Sequence, residues 1–160
     1  MFRFREKWHT RRAKKEITNR REIDSILSKA TVCRIGLISH DTPYIIPLNF
    51  GYNNNCLYFH SAPNGKKIES PKRNPIVCFE VDVDHEITST EIPCKWSMKY
   101  ASVIGQGTVT LITDVEQKQK ALNIIVDHYS PGSSYILPEK NLKEVAVIKI
   151  QIMQMNGKKS

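Results

Sequence analysis

Two stretches alternate apolar and polar residues with the period of two that marks a half-buried strand. In Ile76-Val-Cys-Phe-Glu-Val-Asp-Val83 the residues Val77, Phe79, Val81 and Val83 share one face, and in Val145-Ala-Val-Ile-Lys-Ile-Gln-Ile-Met-Gln-Met155 the inward set is Ala146, Ile148, Ile150 and Ile152. Four more segments read as strands from their β-branched and aromatic content and the turn residues around them: 32–39, 44–52, 56–61 and 99–112. His40-Asp-Thr-Pro43 and Asn53-Asn-Asn55 supply the turns that join the first three into a meander. Gly105 and Gly107 mark a bend or bulge in the long strand.

Helices are signalled by caps and by the longer period. Asn19, with Glu22 three residues on, precedes Ile23, Ile26, Leu27 and Ala30 on one face; Asp114 with Gln117 precedes Val115, Leu122, Ile125, Val126 and Tyr129, and Pro131-Gly132 stops that second helix. A short helical piece from Lys66 to Ser70 is broken by Pro71 and by Asn74-Pro75, and residues 84–97 form a polar connection. Six β segments with three helical pieces predict a mainly β (α+β) domain, a six-stranded antiparallel barrel with flanking helices whose closure hides the sheet edges. An open α+β sheet satisfies the same periodicity.

Composition adds limits. A chain of 160 residues and 18.4 kDa suits one domain with one core. No apolar run reaches the roughly 20 residues that a spanning helix needs, and the charged N-terminus lacks the apolar core of a secretory signal, so no membrane role and a cytoplasmic location are expected. Cys33, Cys56, Cys78 and Cys94 contain no Cys-x-x-Cys pair, which argues for free thiols and against a metal site. Of the net charge of +8, residues 1–21 carry +7, from nine Lys or Arg against Glu6 and Glu16. Residues 1–13 are expected to be a flexible basic arm ahead of a domain over 14–160, and nucleic acid is not the expected partner because no stacking platform accompanies the charge.

One stretch carries chemistry. Tyr58-Phe-His-Ser-Ala-Pro-Asn-Gly-Lys-Lys-Ile68 delivers His60 and Ser61 to a loop, then sets a Gly before Lys66 and Lys67 at a helix start. Backbone N–H groups, a hydroxyl and ammonium groups together suit a phosphate, although the longer Gly-x-x-x-x-Gly-Lys-Ser/Thr run of a nucleotide triphosphatase is lacking. His60 is either a strand-end structural residue or a donor at a pocket mouth. His40, His85 and His128 read as turn or helix-surface residues. Asp82 and Asp84 face the same way and either share a proton, bind a cation or stand solvated. Trp96 and Tyr100 either wall an aromatic ligand or plug the barrel. No nucleophile elbow or triad signature is visible.

Taken together, Cys33-Arg-Ile-Gly-Leu-Ile, Pro43-Tyr-Ile-Ile-Pro-Leu-Asn-Phe-Gly-Tyr52, Leu57-Tyr-Phe-His-Ser-Ala62, Gly65-Lys-Lys-Ile68, Arg73-Asn-Pro75, Cys78-Phe-Glu-Val-Asp82, Trp96-Ser-Met-Lys-Tyr100 and Ser102-Val-Ile-Gly105 resemble, in order, the flavin-nucleotide-binding split barrels akin to pyridoxamine 5′-phosphate oxidase, and among them the 5-nitroimidazole resistance proteins. The resemblance implies a Greek-key-like split barrel and a homodimer with flavin at the subunit interface, FMN ahead of FAD. It also implies an oxidoreductase acting on small aromatic or nitroaromatic molecules. A flavin- or haem-binding module without turnover is the alternative. By the same likeness Lys66 and Lys67 grip phosphate, Ile46, Pro47, Leu48 and Asn49 present backbone to the isoalloxazine edge, and Phe59, His60 and Ser61 border phosphate or ribityl. Tyr100, Ser102 and Val103 approach from the long strand. Pro71 stands where relatives have a helix former, and Ala101 where many have Arg.

Overall fold

The computed structural model describes residues 13–160, so the basic arm lies outside it apart from Ala13, which begins a 3-10 turn over Ala13–Lys15. The elements in order are β1 (Glu16–Ile17), α1 (Arg20–Lys29), β2 (Cys33–Ser39), β3 (Thr42–Leu48), β4 (Gly51–Asn53), β5 (Cys56–Ser61), α2 (Lys66–Arg73), β6 (Ile76–Thr88), β7 (Ser97–Ile112), α3 (Val115–Tyr129), α4 (Glu139–Glu144) and β8 (Ala146–Lys159).

Both predicted caps form. The Asn19 side chain accepts from the Arg21 N–H at 2.9 Å, and Asp114 Oδ1 accepts from the Gln117 N–H at 2.8 Å. Each satisfies a donor that a helix start otherwise leaves without an acceptor. Glu22 does not complete a capping box: its carboxylate takes Lys159 Nζ at 2.6 Å instead.

Every strand pairing is antiparallel, in the order β3-β2-β6-β7-β8-β5-β4, with β1 added beside β8. The expectation of six strands and a closed ring is corrected on both counts. Among the described residues there are eight strands, and the hydrogen-bonded path ends at β3 and β4. Those two ends are one predicted strand, 44–52, interrupted at Asn49-Phe50. Pro43 and Pro47 explain why β3 stays an edge. Paired opposite Ile38 and Arg34, they occur in an antiparallel strand only where the outward side needs no ladder donor.

The core fills the inside of this split barrel. Phe50, Phe59 and Phe79 are fully buried with Leu27, Leu57, Val81, Val103 and Ile150 around them. Each such side chain contributes about 1.5–3 kcal/mol by leaving water. Phe79 lies against Gly105, where an added Cβ would collide with its ring, so the glycine is kept for space. An irregularity occurs at the predicted glycines, but the bulge is on the partner strand: Gln106 pairs with Gln154 and Gly107 with Ile152, leaving Met153 of β8 as the extra residue. Outside the barrel, α3 and α4 bury Ala121, Ile125 and Leu142, and Cys56 and Val147 are buried on the strands beneath. The four thiols are free, and burial raises that of Cys33 to about 12.

Other boundaries differ from expectation for identifiable reasons. β6 and β7 continue their pairing past Val83 across an irregularity, so most of the predicted polar connection is a protruding hairpin. Helix α2 runs through Pro71 to Arg73. The proline removes only the bond to the Lys67 carbonyl, its ring is buried, and the Asn74 N–H still reaches the Ser70 carbonyl at 3.0 Å.

Candidate functional site

The split in the barrel lies between the free edge of β3 and the C-terminal half of β5. Strand β4 covers only Cys56–Tyr58, so β5 is bare on that side from Phe59 onward. Two side-chain contacts bridge the gap. Lys66 Nζ stands over the Tyr44 ring, 5.4 Å from its centroid, and Asn49 Nδ2 lies 3.4 Å from His60 Nε2. On the β3 edge residues 43, 45 and 47 point outward, and with two of them proline the only outward N–H among the three is that of Ile45.

Helix α2 borders one end of this split. Its N-cap, Gly65, has φ 119° and ψ 170°, a conformation open to glycine, and its carbonyl accepts from Ile68 and Glu69. The N–H groups of Lys66 and Lys67 therefore precede the first intrahelical donor, Ile68, and face outward with the positive end of the helix dipole. Among the described residues neither Lys66, Lys67 nor Arg73 forms an ion pair. One side of α2, from Gly65 and Lys66 through Glu69 to Arg73 and Asn74, faces the β2–β3 hairpin (Ile38 to Asp41) across a groove of about 680 Å³.

The model of the pyridoxamine 5′-phosphate oxidase family matches residues 19–159. The chain belongs to that family. Among solved structures it is 36% identical to a candidate 5-nitroimidazole antibiotic resistance protein of Bacteroides thetaiotaomicron, with a TM-score of 0.80 over 89% of this chain and 85% of that one. A flavocytochrome of Azotobacter vinelandii (19% identity, TM-score 0.84, covering 95% and 72%) and a FAD and heme binding protein of Mycobacterium smegmatis (19%, 0.82, covering 91% and 73%) share the fold. An uncharacterised protein of Rhizobium meliloti is 29% identical over 65 residues, which are 41% of this chain and 42% of that protein's length.

In this family member the residues picked from sequence divide into two groups. Ile46, Pro47, Leu48, Asn49, His60 and Lys66 meet at the split, with Lys67 beside it on α2. Phe59 lies in the core and Val103 is fully buried, so neither offers side-chain surface. Ser61 is buried and its hydroxyl donates to the Ala62 carbonyl at 2.8 Å. Tyr100, Ser102 and Val103 sit on β7, separated from β3 by β2 and β6 and from β5 by β8, so this chain does not bring them to the split. His40, Asp41 and Arg73 border the groove and Tyr44 lies under Lys66, and the sequence alone does not mark these four as site residues. His40 and Asp41 form the two-residue turn of the hairpin (φ 49° and 63°), and nothing local shows that this turn packs across from α2.

The other candidates resolve differently. Asp82 and Asp84 are not a pair. Asp82 takes Arg34 at 2.6 Å and His85 at 2.8 Å, whereas Asp84, with φ 60° at the irregularity, turns to Lys29. Burial pushes Asp82 up, but the hydrogen bonds from Arg34 and His85 outweigh it and hold the carboxyl below the ordinary range. Glu80, also bonded to Arg34 at 3.0 Å, is pushed up by burial and by the charge of Asp82. Trp96 is 55% exposed and donates to the Thr90 carbonyl, so it does not plug the barrel. His128 is half-buried against Phe50 with Nε2 2.7 Å from the Ala30 carbonyl, a structural tie.

Proposed function

We propose that the protein binds a flavin nucleotide in the split between β3 and β5, works as a homodimer, and reduces small aromatic or nitroaromatic molecules. The observation that carries this reading is the end of the groove. There a glycine-capped helix start and an ammonium without a carboxylate partner among the described residues stand beside a strand edge. The donor set fits a phosphate: the Lys66 and Lys67 N–H groups and the Lys66 ammonium lie together at the start of α2, and the open space at Gly65 admits close approach.

In this reading Lys66 and Lys67 hold the phosphate, His60 borders the ribityl chain, and the backbone of Ile46 to Asn49 orients the ring system. The prolines leave the β3 edge as a row of carbonyl acceptors around the Ile45 N–H. A bound flavin would supply the redox chemistry, and the chain's part is to hold the ring, exclude water and admit substrate beside it. Ile45, Ile38 and Ile104, exposed at 68%, 42% and 43%, border a mostly apolar depression of about 550 Å³ on the outer face of β2, β3, β6 and β7. A second copy seated there buries them and gives Tyr100, Ser102 and Val103 their one route to a flavin.

The absorbance spectrum of the purified protein, followed by titration with FMN and FAD, tests the cofactor. No flavin bands and no binding of either would end this reading, and a Soret band would favour the haem-binding alternative. Anaerobic mixing of the reduced protein with a 5-nitroimidazole tests the reaction, and flavin that stays reduced would leave binding without turnover.

A further inference from the structure

The hairpin that carries β6 and β7 beyond the barrel presents an apolar side to solvent. At its base Asp84 and His85 stand against Tyr100 alone. Beyond that step the pairs Glu86–Lys99, Ile87–Met98 and Thr88–Ser97 run on to a 3-10 turn over Pro93–Lys95. Ile87, Ile92, Trp96 and Met98 are all exposed, Ile87 most at 64%. Paired residues share a face, and so do alternate residues of a strand. Ile87 and Met98 therefore lie on the side of β7 that carries Tyr100 and Ile104, opposite Val103 and the core. The arm is held at both ends. At the base Lys29 bonds Asp84 and His85 Nε2 lies 2.8 Å from Asp82, while Lys99 bridges Glu86 at 3.1 Å. Near the tip the Trp96 indole N–H donates to the Thr90 carbonyl at 2.8 Å, which satisfies the one polar atom of the ring and leaves the rest as apolar surface.

We propose that a second copy of this chain covers the arm, and that the arm lays Met98 and Trp96 beside the split of that copy as the wall against which an aromatic substrate sits. The proposal rests on the flavin and homodimer reading above. Thirteen residues border the apolar depression on the outer face, about half of the roughly 20–30 a side that a stable interface uses. The arm continues that same face and supplies the missing part. A two-stranded ribbon is also marginal by itself in water, so the exposed apolar side calls for a cover. The strand sets the direction. Where Tyr100 of one copy reaches the flavin of the other, Met98 and Trp96 stand about 7 and 13 Å farther along the same side, at roughly 3.3 Å per residue. That puts them beyond the flavin contact, where they bound the space for a substrate stacked on the ring. A thioether and an indole make a polarizable, uncharged wall. It suits small planar aromatic molecules and offers an anionic aliphatic one nothing to bind.

The test titrates the flavin-loaded protein with 2-methyl-5-nitroimidazole, read as the change in flavin absorbance, for the wild type, Trp96→Ala and Trp96→Phe, with circular dichroism to confirm folding. Trp96→Ala should raise the Kd about threefold to tenfold, as the loss of one aromatic contact does. Trp96→Phe should stay within twofold of the wild type, and flavin affinity should stay within twofold in both variants. A mixed dimer tests delivery between copies: one subunit carries Lys66→Ala and Lys67→Ala, the other Trp96→Ala, and the pair is purified through two different tags. One of its two sites then joins an intact split to an intact arm. At a flavin concentration that loads only intact splits, the loaded sites should bind nitroimidazole with wild-type affinity, unlike those of the Trp96→Ala parent. An unchanged Kd in Trp96→Ala, a mixed dimer without wild-type affinity, or a loaded wild type that does not respond to nitroimidazole overturns the arm and leaves flavin binding standing. Binding to anionic phospholipid vesicles that Trp96→Ala abolishes overturns it too, by giving the arm to a membrane surface. Failure of the wild type to bind flavin overturns both readings.

Discussion

The two lysines at the start of α2 look equivalent in sequence, but the structure predicts that they are not. Lys66 faces the groove and lies over Tyr44, whereas Lys67 points from the neighbouring position and is not part of the groove wall. A hydrogen bond to a charged group contributes about 1.5–3 kcal/mol, and the exposure of Lys66 places its share at the low end of that range. The backbone N–H groups and the helix dipole remain in any side-chain variant, so binding should weaken and persist. Lys66→Ala is therefore expected to raise the flavin Kd about tenfold, the equivalent of about 1.4 kcal/mol, and Lys67→Ala by less than about threefold. Fluorescence titration at two or more salt concentrations measures both. The Lys66→Ala variant should also lose part of the salt dependence, because one screened charge has gone. A Lys67→Ala effect equal to or larger than that of Lys66→Ala would refute the placement, as would a Lys66→Ala variant with unchanged affinity.

The Tyr129 hydroxyl accepts from the Phe50 N–H and donates to the Thr31 carbonyl, both at 2.8 Å, and Phe50 is fully buried. Tyr129→Phe leaves that N–H without an acceptor, at about 1–3 kcal/mol, which for a chain of this size lowers Tm by about 2–12 °C; a change below 1 °C in a thermal melt would count against it. Gly105→Ala drives a methyl into the Phe79 ring and should destabilise by about 1–3 kcal/mol, a cost that Phe79→Leu in the same chain should partly relieve in urea unfolding. Asp82 is held below its ordinary value, so the stability it contributes is full above about pH 4 and is lost as pH falls through its lower folded value. Arg34→Met removes the partner of both Asp82 and Glu80, so the urea midpoint should drop most at neutral pH and converge with the wild type as the carboxylates protonate. A constant difference from pH 7 to pH 3 would contradict this. Ile45→Asp should leave a folded monomer in light scattering if the apolar outer face joins two copies.

The parts of the fold visible in sequence were those that short-range chemistry decides. Alternation in 76–83 and 146–152, the Asn19 and Asp114 caps and the glycine at the bulge are each set within a few residues. The two-residue β1 has no such signal, since Glu16 and Ile17 become a strand only by meeting Lys158 and Gly157. The interruption at Asn49-Phe50 was equally hidden, because Phe50 leaves the strand to enter the core and to donate to Tyr129 from α3. For the site, the glycine-lysine step was legible because cap and charge are adjacent in the chain. The Arg73–His40 contact was not, because it joins residues 33 positions apart through packing of a hairpin across from a helix.

Strand β8 is the last of the eight along the chain, and yet it lies between β7 and β5 and also receives β1. During synthesis every earlier strand can be present while β5 and β7 still lack the neighbour that joins them. Pairings such as Glu16 with Lys158 also give the fold many long-range contacts, which slow closure. Until β8 is made, β5 and β7 each keep an unpaired edge, the state most open to association with other chains. Solubility on overexpression should therefore depend less on the finished surface than on how quickly residues 146–159 find their slot.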